Sequence, residues 1–159
     1  DRLASMFIVL VCPGNTCRSP MAAAILRKLI AEKSNCTLEE TEQRGVIVSS
    51  AGVSATPGGV AAPEAVEVMR TRSLDLSRHE SQPLSEKLVR HADVILALTN
   101  AHRQAIIRRW PEAAGRTMVM RMDQTDIDDP IGAPAEVYTQ CAQQIEDALR
   151  ERLKSMNLT

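Results

Sequence analysis

Six apolar residues, Met6 to Val11, run without interruption into a turn holding two cysteines, a glycine and an arginine, and a helical pattern follows at once. A run of this kind, rich in Ile and Val and without alternation, suits a strand buried on both faces. Past the turn, Ser19 and Pro20 read as an N-cap and a first-turn proline. Ala22, Ile25, Leu26, Leu29 and Ile30 then recur at helical spacing. Strand, loop and helix in that order open a parallel sheet, because the chain has already committed to a crossover.

The remaining sequence repeats the alternation. Thr37 to Arg44 reads as a polar loop and Val46 to Val48 as a short second strand, with a Gly/Pro-bearing segment from Ala51 to Gly59. Ala62, Ala65, Val66 and Met69 form a helical face, and a short helix begins at Ser85. Ala92 to Leu98 is a third buried strand, and Asn100 is placed to cap a helix that stops before Pro111. Thr117 to Met120 is a fourth strand, the polar loop Asp123 to Pro134 follows, and Val137, Cys141, Ile145, Leu149 and Leu153 share one side of a last helix. The expected fold is α/β: three layers, doubly wound, with a four-stranded parallel sheet and helices on both faces. Ligands in such folds bind beyond the carboxyl ends of the strands, which directs attention to the loop after the first one.

Length and charge exclude several functions. The chain has 159 residues, the size of one domain, which we assign to residues 6–159; residues 1–5, which begin without Met, are set apart as a candidate tag or linker. A net charge of -1 offers no basic surface for nucleic acid. The run Met6 to Val11 falls far short of the roughly 20 residues that span a bilayer, so we expect no membrane partner and a cytoplasmic location. Phe7, Trp110 and Tyr138 are the only aromatic residues, so the core must be aliphatic.

The loop carries the chemical signal. Five residues separate Cys12 from Arg18 between a strand and a helix. Wrapped about one centre, such a loop turns successive backbone N–H groups inward at a helix N-terminus and makes an anion site. Gly14 and Asn15 suit the left-handed backbone angles of a cradle. With Thr16, Cys17 and Ser19 they form the candidate binding loop, and Arg18 adds a planar fork for two phosphate oxygens. The same positive potential favours Cys12 as a thiolate, the form that attacks phosphorus. Ser19 can donate its hydroxyl to the sulfur. Pro13 lacks an N–H, so the cradle offers the amides of Gly14 to Arg18 only.

Cys12 to Pro20 match the signature C-x-G-N-x-C-R-S-P, and in this the chain resembles the low-molecular-weight protein tyrosine phosphatases. The resemblance extends from residue 6 to about 156 through Ser50-Ala51-Gly52, the region of His79, the strand ADVILAL and a late Asp-Pro pair. It implies a phosphocysteine mechanism on phosphorylated proteins, without metal or other cofactor. Within the family the chain resembles the bacterial protein arginine phosphatases, which carry Thr at the position of Thr16 and a match to Asp129-Pro130-Ile131-Gly132 and Val137-Tyr138. Ile131 stands where many relatives place an aromatic wall.

The leaving group needs a proton from another loop. Asp129, restrained by Pro130, is the candidate by resemblance, with Asp126 and Asp128 as alternatives. Resemblance also places His79 in a network that supports Asn15. Cys17 is close enough in sequence to Cys12 to cap it as a reversible disulfide, whereas Cys36 and Cys141 read as structural, His91 and His102 as surface or packing residues, and Trp110 as packing. No Cys/His spacing makes a zinc site. The leading function is therefore hydrolysis of protein phosphoarginine, with phosphotyrosine hydrolysis as the alternative. Arsenate reduction needs relay cysteines, which residues 70–95 lack. A phosphate-binding module without catalysis would need neither the nucleophile nor the acid.

Overall fold

The computed structural model describes residues 5–156, so of the segment set apart only Ser5 is covered, and residues 157–159 of the assigned domain lie outside the described residues. Strand β1 (Met6–Cys12) lies between β2 (Val46–Gly52) and β3 (Val94–Ala97), and β4 (Thr117–Val119) pairs with the far side of β3. All pairs are parallel, with order β2-β1-β3-β4. The chain winds one way from β1 to β2 and the other way to β3 and β4, so the crevice at the carboxyl end of β1 is the switch point.

Alternation along β1 divides its side chains between two cores. Ile8, Leu10 and Cys12 face α1 (Arg18–Lys33), α3 (Pro63–Thr71) and α6 (Ala135–Ser155). Val9 and Val11 face α4 (Glu86–His91), α5 (Asn100–Arg109) and the 3₁₀ turn Pro111–Arg116. Ile8 and Leu10 are wholly enclosed, each burial stabilising the fold by about 2 kcal/mol. The expected three layers, doubly wound, are the observed architecture. Trp110 closes α5 by packing into the second core, with the Arg109 guanidinium 4.8 Å from its ring centre.

Several local expectations are corrected. The segment Thr37 to Arg44 is not a loop: Leu38–Gln43 form α2, because Thr37 and Glu40 exchange side-chain and backbone hydrogen bonds in a capping box. Ser19 does not cap α1. The helix starts at Arg18 with Cys17 at the cap, and the Ser19 hydroxyl is spent on the loop instead. Pro20 still sits in the first turn, where a missing N–H costs no helical bond. Thr99, not Asn100, caps α5 by accepting the His102 N–H, while Asn100 reaches Asp126 and the Gln124 carbonyl. β2 runs four residues past Val48 to Gly52, because β1 pairs with it through Cys12. The third strand is shorter than expected, since Ala92 ends α4, and the fourth ends at Val119.

Candidate active site

The loop after β1 is held by its carbonyls. Those of Cys12 and Pro13 accept the N–H groups of Val53 and Ser54 at 3.1 and 2.9 Å, that of Thr16 accepts Ala62 at 2.7 Å, and that of Cys17 accepts Met21 at 3.1 Å. The Asn15 carbonyl lies 2.6 Å from His79 Nε2, which must carry the proton because a carbonyl only accepts. With the carbonyls turned outward, the amides turn to the opposite side. Among the described residues no protein acceptor meets the N–H groups of Gly14 to Arg18. This is the arrangement of an anion cradle at a helix N-terminus.

Asn15 is the pin of the loop. Its backbone is left-handed at φ 56° and its side chain is wholly buried. The amide donates to Ser19 Oγ and Ser50 Oγ, both at 2.9 Å, and accepts from the Gln82 N–H at 2.9 Å. Gly14 is not left-handed, contrary to expectation, and a Cβ there would meet Thr16 Oγ1 only at 3.6 Å, an ordinary contact. Gly52 is the glycine the loop requires. A Cβ at that position would stand 2.4 Å from the Pro13 carbonyl oxygen and 3.0 Å from the Asn15 nitrogen. Ser50, Gln82 and Gly52 thus complete the site. Of these, only the Ser50-Ala51-Gly52 motif carried a signal in the sequence.

Cys12 ends β1 with its sulfur 2.9 Å from Ser19 Oγ. Arg18 is buried, yet its guanidinium faces the loop after β4: one nitrogen donates to the Ile127 carbonyl at 2.8 Å and another lies 3.6 Å from Asp129 Oδ2. Ile127 is itself fixed, its N–H donating to Leu98 at the end of β3. The three candidate acids separate by environment. The Asp126 carboxylate accepts the Asn100 backbone and side chain, which hold it below the usual carboxylate range. Asp128 offers its carbonyl to the Cys141 thiol at 3.8 Å. Only Asp129 pairs with Arg18, and its second oxygen accepts the Ile131 N–H at 3.0 Å, so the carboxylate is oriented though half-exposed.

Cys17 lies in the core beside Cys12 and Cys141. Burial above all, then the neighbouring thiols, pushes it up to about 12, and burial pushes Cys141 up to about 11. Ile131 is exposed. His91 sits at the surface, its Nδ1 on the Lys87 carbonyl. His102 is half-buried with Nδ1 enclosed and unpartnered; burial first, and then Arg18, pushes its proton affinity down. Among the described residues no group of three or more His, Cys, Asp or Glu gathers as a metal site, and no helix is long and apolar enough to cross a membrane.

Comparison with known proteins agrees with this geometry. The protein arginine phosphatase of Bacillus subtilis is 36% identical over 155 residues, covering 95% of this chain and 97% of that one. A probable low molecular weight protein tyrosine phosphatase, EpsP of Ralstonia solanacearum, is 40% identical over 143 residues, covering 89% and 85%. A solved variant of the arginine phosphatase YwlE, with a phosphorylated active-site serine, superposes with a TM-score of 0.82 at 37% identity over 94% and 95% of the two chains. Residues 7–159 match the family described as low molecular weight phosphotyrosine protein phosphatase, and the chain belongs to it.

Proposed function

We propose that this member of the family, a cysteine-based phosphatase, hydrolyses phosphoarginine on proteins. In this reading the Cys12 thiolate attacks phosphorus while the P–N bond breaks, and Asp129 delivers its proton to the departing guanidino nitrogen. The free amides and Arg18 take the equatorial oxygens, where charge spreads in the transition state. Asp129, now a carboxylate, removes a proton from water as that water attacks the phosphocysteine. The P–S bond breaks, Ser19 stabilises the released thiolate through its hydroxyl, and inorganic phosphate leaves.

The observation that carries the proposal is the pairing of Asp129 with Arg18 on one side of a loop whose other members are Thr16 and the Ser19-bound Cys12. A carboxyl group at that place can hydrogen-bond the departing guanidino nitrogen, give it the proton, and as the resulting carboxylate pair with the guanidinium cation so formed. Exposed Ile131 offers no ring for an aromatic substrate. The similarity to an arginine phosphatase over nearly the whole chain supports the same substrate. The 40% identity to a probable tyrosine phosphatase favours the second reading, phosphotyrosine hydrolysis.

Turnover of matched phosphoarginine and phosphotyrosine peptides decides between them. We expect preference for phosphoarginine, reduced by Thr16→Ile; clear preference for phosphotyrosine overturns the substrate assignment. The reading also carries a Cys12–Cys17 disulfide as a guard against overoxidation, and a cytoplasmic location, in keeping with four unpaired cysteines.

A further inference from the structure

The outer edge of the sheet is flanked by two arginines brought from opposite faces. Arg103, from α5, donates Nε to the Thr117 carbonyl at 2.8 Å. Arg152, from α6, donates Nη2 to the Val119 carbonyl at 2.6 Å and Nε to the Met120 carbonyl at 3.0 Å. Among the described residues neither guanidinium forms an ion pair. Blocking an edge against strand addition needs charge, but it does not need two uncompensated charges on one concavity.

That concavity has a volume of about 390 Å³, and beside the two arginines its lining includes Asn100, Gln124 and Thr117 together with the apolar Met118 and Met122. It falls in the range of about 300–1,000 Å³ that holds small ligands. Among the described residues Arg103 Nη1 and Nη2 meet no protein acceptor, and Arg152 Nη1 touches the Met118 sulfur alone, at 3.6 Å. Guanidinium forks with spare N–H groups recognise oxyanions in bidentate fashion. No aromatic ring lines the space, so a nucleobase would have nothing to stack on.

We propose that this edge pocket is a second oxyanion site, distinct from the Cys12 loop, which takes a phosphoryl dianion, either free phosphate or a phosphoryl group on a small molecule. The site borders the acid loop. Asn100, in its wall, donates its side chain to the Gln124 carbonyl and the Asp126 carboxylate at 2.6 and 3.1 Å.

The test is a residue-resolved NMR titration of the ¹⁵N-labelled protein with inorganic phosphate and, separately, with propylphosphonate, which no phosphatase cleaves. The arginine Nε–Hε signals of Arg103 and Arg152 and the Asn100 amide should move along a saturating curve. That curve should be independent of the one traced by the Gly14 to Arg18 amides. Response to both probes, or to one, identifies the source and supports the site. Arg152→Gln should weaken the edge response at least about tenfold, the loss expected for a charge-assisted fork, and leave the loop response unchanged. Arg103→Lys, which keeps the charge, should weaken it without removing it. If in the wild-type protein the Arg103 and Arg152 signals stay fixed, or drift without saturating while the loop titrates, the proposal is wrong, whatever the variants do.

Discussion

Replacing Asn15 with Ala tests whether one buried side chain holds the phosphate loop. The change removes three hydrogen bonds of 2.9 Å, to Ser19, Ser50 and the Gln82 N–H, at ~1 kcal/mol of net stability each. It also places Ala at φ 56°, where a Cβ without a compensating local bond costs about 1 kcal/mol. The sum, about 4 kcal/mol, is a large share of the 5–15 kcal/mol typical of a domain. Asn15→Gly loses the same bonds but not the backbone preference, so it should be less destabilised than Ala by about 1 kcal/mol. Urea unfolding followed by the fluorescence of Trp110, which sits in the other core, gives the stabilities. Turnover of an aryl phosphate reports the loop, and we expect kcat/KM to fall about a hundredfold in both variants, the scale of losing oriented oxyanion donors. A loss below about 1 kcal/mol in the Ala variant, or a Gly variant no more stable than Ala, refutes the assignment of Asn15 as the pin.

Asp129→Asn should lower kcat by about 10² to 10⁴ with a stability change under about 1 kcal/mol, because the carboxylate is half-exposed and Arg18 keeps its bond to the Ile127 carbonyl; unchanged kcat would remove Asp129 from the chemistry. Gly52→Ala forces a Cβ to within 2.4 Å of the Pro13 oxygen, so it should cost about 1–3 kcal/mol and distort the loop, seen as a lower Tm together with a higher KM for aryl phosphate. The buried thiols make stability fall in alkali. In the folded state Cys17 and Cys141 are raised to about 12 and 11. The unfolded chain therefore gives up its thiol protons first, so their contribution is full below pH ~9 and is lost as pH rises towards 11–12. Urea midpoints measured from pH 8 to 11 should decline less steeply in Cys17→Ala than in the wild type, and parallel declines would contradict the burial argument.

Local chemistry was the readable part of the site. Cys12, Arg18 and Ser19 lie within one strand, turn and helix, where spacing fixes geometry, and the four strands announced themselves as apolar runs. The parts that sequence concealed act across the chain: Gln82 clamps Asn15 from 67 residues away, the Ile127 carbonyl meets Arg18 from 109 residues away, and for Ser50 the motif was visible but not its bond to Asn15 across 35 residues. No periodicity marks such contacts. The missed helix α2 is a different case, since Thr37 and Glu40 stood at capping-box spacing but its six residues lacked a strong apolar stripe. Within the loop from Cys12 to Arg18 the left-handed angle falls on Asn15 and not on Gly14, because the side-chain amide there offsets a strained backbone with three partners, which glycine cannot do.

One guanidinium serves two masters. Arg18 tethers the segment from Ile127 to Asp129, and the same planar group is the one that the proposed reaction turns to an oxyanion. In the proposed reaction the oxyanion and the Asp129 carboxyl compete for that one edge, so substrate binding and proton delivery are coupled through a single side chain.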